Sequence, residues 1–147
     1  MAKIRRATEA DIAVASRLIT NVVTEVYGHL IEDIAPTTTS DEHLIDSLLA
    51  IANGKVVGVG LSVDEVVDDL WLLPEARGEG IGSTLLRMME IEIAKRGYKE
   101  GKLRVFAENI LARRFYESHG WKEYRRSPHE RLGHGMIDFV KNVRAAR

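Results

Sequence analysis

Three glycines alternate at positions 78, 80 and 82, directly after an apolar stretch that a proline ends and directly before an amphipathic one. From Asp68 to Leu86 the chain reads Asp-Asp-Leu-Trp-Leu-Leu-Pro-Glu-Ala-Arg-Gly-Glu-Gly-Ile-Gly-Ser-Thr-Leu-Leu. Ile81, Leu85, Met88 and Met89 then fall at helical spacing, so a buried strand feeds a helix N-terminus through this turn. The first N–H groups of a helix and the positive end of its dipole suit a phosphate, and absent β-carbons let one approach the backbone. Arg77 adds a permanent cation with forked donors. The expectation is a diphosphate site.

Two familiar phosphate turns do not fit. A Rossmann fingerprint needs small residues at three places, which Gly78, Gly80 and Ser83 nearly supply, but a turn this far along leaves too little chain for a dinucleotide fold. A P-loop needs Gly-Lys-Ser/Thr, and none follows. The spacing that does fit is Arg-x-x-Gly-x-Gly at Arg77, Gly80 and Gly82, preceded by Leu-Pro-Glu. A glycine-rich helix start without a ligand is the plain alternative.

Length and charge limit the rest. The 147 residues suffice for about one domain with its own core. Lys+Arg 21 against Asp+Glu 22 leave a net charge of −1, so no general basic field exists for nucleic acid. With no cysteine, disulfides, thiolate metal sites and a cysteine nucleophile are excluded. His29, His43, His119, His129 and His134 show no paired helical spacing, so no metal is expected; His119 reads as a helix-end residue facing the C-terminal dipole. No apolar run approaches ~20 residues and no signal-peptide core follows the N-terminus, so a soluble, cytoplasmic protein without membrane contact is expected.

Lys3 to Ala7 alternates as a first strand, and Thr8 to Asp11 has capping-box spacing before a helix on Ile12, Ala15, Ile19, Val22, Val23 and Val26. His29 to Ser40 reads as loop, a surface connection or the wall of an acceptor site. Thr39 and Glu42 then suggest a cap for a second helix carrying Leu44, Ile45, Leu48 and Leu49. Asn53-Gly54 is a strong hairpin signal. Val56 to Ser62 and Val66 to Leu72 are strands joined at Asp64-Glu65, and the glycine-led helix runs to about Arg96 with Ser83, Arg87 and Glu90 on its polar face. Lys102 to Ala107 is a strand, Asn109 caps a helix from Ile110 to His119, and Gly120 follows its end. Trp121 to Arg126 and Met136 to Val140 are the last strands, separated by a loop from Pro128 to Gly135 and followed by a basic tail.

Asp68 and Asp69 interrupt an otherwise apolar strand, where carboxylates are uncommon without a partner. Neighbours on a strand face opposite ways. One reading sends one aspartate to solvent and pairs the other with an arginine; the other places at least one in a reaction cleft.

With Leu-Pro-Glu, Arg77, Gly80 and Gly82, and with Asn109-x-x-Ala112-x-x-x-Tyr116 followed by Gly120-Trp121, nearly the whole chain resembles the GCN5-related N-acetyltransferase (GNAT) superfamily. The resemblance implies an α/β fold with a mixed, mostly antiparallel sheet of about seven strands, four flanking helices and splayed central strands, in one domain over residues 1–147. It implies acetyl-CoA as co-substrate, held at the diphosphate by Arg77, Gly78, Glu79, Gly80, Ile81, Gly82 and Ser83. Backbone groups of Trp71, Leu72 and Leu73 would pair with pantetheine as an added strand, beside Asn109 and Ala112. A homodimer is implied at family level only.

The chemistry needed is narrow. An acetyl thioester is already activated, so the protein must hold a neutral amine against the carbonyl and protonate the departing thiolate. A lysine-like amine, pKa about 10.4, is neutral about once in 10³ molecules at pH 7, so a base or water relay is needed. Asp68 and Asp69 are candidates, standing where polyamine acetyltransferases carry Glu-Asp; the shorter aspartate favours a relay. By resemblance Tyr116 is the acid, the alternative being a helix tyrosine packed beside Phe115. The expected acceptor is a small cationic amine. A protein N-terminal or lysine acetyltransferase, or a non-catalytic acyl-CoA sensor, are the other readings.

Overall fold

The computed structural model describes residues 2–28, 41–128 and 135–144. The His29 to Ser40 loop, His129, His134 and the end of the basic tail lie outside the described residues. Strand β1 is Lys3–Arg6, helix α1 Ile12–Tyr27, β2 Leu48–Ala52, β3 Lys55–Val63, β4 Val66–Leu72, α2 Ile81–Lys95, β5 Glu100–Phe106, α3 Ile110–Ser118, β6 Lys122–Pro128 and β7 Gly135–Asn142. The strands form a seven-stranded sheet in the order β1-β2-β3-β4-β5-β7-β6; β1–β2, β2–β3, β5–β7 and β6–β7 pair antiparallel and β4–β5 parallel, that last ladder being the one pair Val66 and Lys102.

The expected second helix is not formed. Asp41–Leu44 makes a single 3₁₀ turn, and Leu48–Ala52 extends as β2 between β1 and β3. Leu48, Leu49 and Ala50 are all buried, as a strand covered on both faces requires. A short run that is apolar at every position has no period, so helix and strand look alike in it. Among the described residues three α-helices therefore stand where four were expected, while β2 completes the seven strands and supplies the partner of β3 that the Asn53-Gly54 turn requires.

The chain divides into two compact units, one of Met1–Ser62 and Asp68–Met89, the other of Val63–Val67 and Glu90–Arg147. In the first, the Asp11 carboxylate accepts the Thr8 N–H at 2.7 Å and the Arg5 guanidinium at 2.8 Å, fixing the start of α1. Ala15, Leu18, Ile19 and Val22 then form a buried stripe packed with Leu44, Leu49, Val59 and Leu61. On β3, a Cβ at Gly58 would stand 2.5 Å from Leu72 Cδ2, and one at Gly60 3.2 Å from Met89 Cε. Bare backbone there lets Leu85 and Met89 of α2 settle directly on the strand.

In the second unit β5 alternates strictly, with Gly101, Leu103 and Val105 buried and Glu100, Lys102 and Arg104 exposed. Leu103 pairs with Phe139 and Val105 with Ile137 of β7. On the opposite face Asp138, 4% exposed, accepts Arg104 Nε at 2.9 Å and Arg125 Nε at 2.7 Å. Burial pushes the Asp138 carboxyl up, but its two arginines outweigh that and hold it below the usual range. Glu90, expected on a polar face, is instead buried.

Candidate active site

The glycine turn is shaped by backbone conformation. Leu73 leads into a 3₁₀ turn at Pro74–Ala76, and Arg77 is extended at φ −77°, ψ 150°. Gly78 and Gly80 then take φ of 81° and 84°, a region that L side chains disfavour, with open space where a Cβ would stand. The Gly80 carbonyl accepts the Thr84 N–H at 3.1 Å, making Gly80 the cap of α2. The N–H groups of Ile81 and Gly82 precede the helix ladder and point along its positive end. Backbone donors at a helix start beside open space at Gly78 and Gly80 are features that suit a phosphate.

The Arg77 side chain is already engaged. Its Nη1 donates to Glu25 Oε2 at 2.9 Å, and its Nη2 to Glu25 Oε1 at 2.7 Å and to the Leu72 carbonyl at 2.9 Å. The paired guanidinium holds the Glu25 carboxyl below its ordinary value, and the carboxylate raises that of Arg77. Nothing in the sequence marked Glu25, whose partner stands 52 positions away.

The two aspartates of β4 part company. Asp68 is exposed, whereas Asp69 is 6% exposed and accepts the Trp71 Nε1 hydrogen at 2.8 Å. Residues two apart on a strand share a face, so the carboxylate and the indole lie side by side. Trp71 in turn meets Tyr27, at the end of α1, edge-on with ring centroids 6.2 Å apart. Leu73 donates its N–H to Val57 at 2.9 Å and its carbonyl accepts the Ala76 N–H at 3.0 Å. By strand alternation, the backbone groups of Leu72 face away from β3.

In the second unit Asn109 caps α3, its Oδ1 accepting the Ala112 N–H at 3.1 Å. Arg113 Nη1 donates to the Ala107 carbonyl at 2.8 Å, tying the helix to the end of β5. Tyr116 is the buried residue of α3, its ring among Phe115, Trp121 and Phe139 at centroid distances of 5.3, 6.2 and 6.4 Å. His119 Nδ1 lies 2.7 Å from the Phe115 carbonyl, which only accepts, so Nδ1 carries the proton there. Among the described residues no group of three His, Asp or Glu side chains is placed to hold a metal ion.

A family model described as "Acetyltransferase (GNAT) domain" matches residues 15–143. The chain belongs to the GNAT acetyltransferase family. Solved structures agree in fold. The PaiA N-acetyltransferase of Thermoplasma acidophilum, in complex with coenzyme A, has a TM-score of 0.74 at 20% identity, over 97% of this chain and 99% of that one. YncA of Salmonella typhimurium, a putative acetyltransferase with its cofactor acetyl-CoA, has 0.76 at 17%, over 97% and 94%. The ribosomal-protein-S18-alanine N-acetyltransferase of Escherichia coli has 0.70 at 20%, again over 97% and 94%. Among curated protein sequences none matches this chain.

Within the GNAT fold, the expected residues fall into two sets. Asp69, Trp71, Leu72, Leu73 and the Arg77–Ser83 turn share the first unit; Asn109, Ala112 and Tyr116 share the second. Besides Glu25, the sequence reading missed the supporting role of Glu90, which it placed on a polar face. Glu90 accepts Trp121 Nε1 at 3.1 Å and Lys141 Nζ at 2.8 Å. Its position, four after Leu86 and three before Ile93, is that of the buried stripe, which is the signal that could have found it.

Proposed function

We propose that this chain, as one GNAT domain over residues 1–147, transfers the acetyl group of acetyl-CoA to a primary amine, a small cationic one, in the cytoplasm. The observation that carries the acceptor class is Asp69, a carboxylate sequestered on the strand that leads into the glycine turn. Its negative charge, held beside the Trp71 indole on that strand, is what a cationic amine would complement.

In this reading the backbone of Arg77, Gly78, Glu79, Gly80, Ile81, Gly82 and Ser83 cradles the diphosphate. The end of β4 at Trp71–Leu73 borders pantetheine as an added strand would. Asn109 and Ala112 border the same arm. Asp69 receives the ammonium proton through a water, and Asp68, exposed, adds only a weak, screened attraction for the cation. The amine nitrogen attacks the thioester carbonyl, a C–N bond forms, the C–S bond breaks, the thiolate takes the Tyr116 hydroxyl proton, and the proton that the nitrogen sheds as the amide forms restores that hydroxyl. The acetyl group is supplied by the co-substrate; the residues hold, orient and move protons.

An acetyl-CoA turnover assay against polyamines, amino-acid derivatives, aminoglycosides and N-terminal or lysine peptides tests this. Thiol release is expected with small cationic amines. Turnover of peptides alone would make the protein an N-terminal or lysine acetyltransferase, and acetyl-CoA binding with no acceptor in the panel would make it a sensor.

A further inference from the structure

We propose that Glu25 is a resident counter-ion of the diphosphate turn, holding the Arg77 guanidinium by an end-on fork that the incoming diphosphate must take over. The proposal rests on the reading of that turn as a diphosphate site. Both Glu25 oxygens and three of the five N–H groups of Arg77 are engaged, counting the Leu72 carbonyl. That fork is the geometry with which arginine grips phosphate oxygens, so carboxylate and phosphate compete for one set of donors. The pair is accessible to such exchange, since the side chains of Arg77 and Glu25 are 40% and 43% exposed, and an ion pair that exposed is weak.

Two consequences follow from where these residues sit. Glu25 lies in the last turn of α1, Arg77 at the end of the 3₁₀ turn that leads to Gly78. Transfer of the guanidinium from one anion to the other therefore unfastens the end of α1 from the turn. The Leu72 carbonyl keeps hold of Nη2 on the far side, so the guanidinium is already aimed when the exchange occurs. A diphosphate that reaches Arg77 also comes well within a Debye length, ~10 Å at 0.1 M salt, of the Glu25 charge. The resident carboxylate thus lowers cofactor affinity, and a neutral residue in its place raises it.

Calorimetric titration of coenzyme A into the wild type, Glu25→Gln, Arg77→Gln and the double variant tests the proposal. Glu25→Gln should bind about 5-fold tighter or more at low salt, with a steeper loss of affinity as salt rises, because Arg77 is no longer pre-neutralised. In the Arg77→Gln background the same change should tighten binding clearly less than in the wild type, what remains being the direct repulsion of the carboxylate. A folded Glu25→Gln protein with equal or weaker affinity would overturn the proposal, as would full tightening that persists without Arg77. Wild-type protein with no affinity for coenzyme A would remove the diphosphate reading itself, a different outcome from either.

Discussion

Trp121 closes helix α3 back onto Tyr116: its backbone N–H donates to the Tyr116 carbonyl at 3.1 Å, and its ring meets the tyrosine ring at 6.2 Å and 69°. Gly120, at φ 88°, donates to the Glu117 carbonyl at 3.1 Å, completing a helix-ending motif in which the two ring-bearing residues touch. The tyrosine is held at both its main chain and its ring.

If Tyr116 is the acid, its hydroxyl is separable from this packing. Tyr116→Phe keeps the aromatic contacts, so kcat should fall roughly 10- to 10³-fold with coenzyme A affinity nearly unchanged. Steady-state kinetics beside a binding titration reads the split. Wild-type kcat in the variant would return Tyr116 to a packing role.

The acidic pair makes an asymmetric prediction. Asp69→Asn should lower kcat/KM for a cationic amine 10-fold or more, about 1.4 kcal/mol, while Asp68→Asn, at an exposed position, should change it little. The assay is the amine panel at fixed acetyl-CoA. Wild-type rates for both variants and their double mutant would remove the acidic acceptor site.

Glu90 predicts a stability effect. Its two oxygens serve Trp121 and Lys141, so Lys141→Met leaves a buried carboxylate short of its cation and should cost about 3–5 kcal/mol in denaturant unfolding, as should Glu90→Ala. Replacing both by apolar residues of similar volume should cost much less than the two single changes summed. Additive losses would argue against a coupled pair.

Asp138 governs part of the acid limb of stability. Its folded pKa lies below that of an unfolded aspartate, so its contribution is complete above about pH 4, the unfolded value, and is lost as pH falls through the folded one. Thermal midpoints of Asp138→Asn against wild type should therefore differ at neutral pH and converge below pH 4. A constant difference across that range would mean that the charge is not what Arg104 and Arg125 require.

Gly80 tests the turn. At φ 84° an alanine is strained by about 1–2 kcal/mol although no atom stands in its way. Gly80→Ala should lose roughly that stability and weaken coenzyme A binding at least 10-fold by shifting the N–H groups of the turn, as titration would show. An alanine variant with unaltered affinity would dissociate the turn from the diphosphate.

What could be read in the sequence was what has a period or a fixed local geometry. Alternation at Leu103 and Val105, helical spacing from Ile12 to Val26, the Thr8–Asp11 box and the Asn109 cap all stand in the structure. Leu48 to Ala52 failed because uniform burial erases period, so its strand state is set by β1 and β3 rather than by itself. Which aspartate turns inward depended on strand phase, which Trp71 and Leu73 on the core side decide. The partners of Arg77 and Glu90 are matters of distant chain meeting, and no local spacing encodes them.

The division of the chain into units is not a division of its length. Residues 63–67 belong with the second unit, and the chain then returns to the first until Met89. No single cut therefore yields either unit whole, and trimming from either end removes parts of a unit rather than a module. During synthesis the first unit lacks α2 until Met89 has left the ribosome, by which time five residues of the second have already emerged. Truncations should accordingly be judged by solubility and cooperative melting of the remainder, with insoluble or non-cooperative products at every internal boundary.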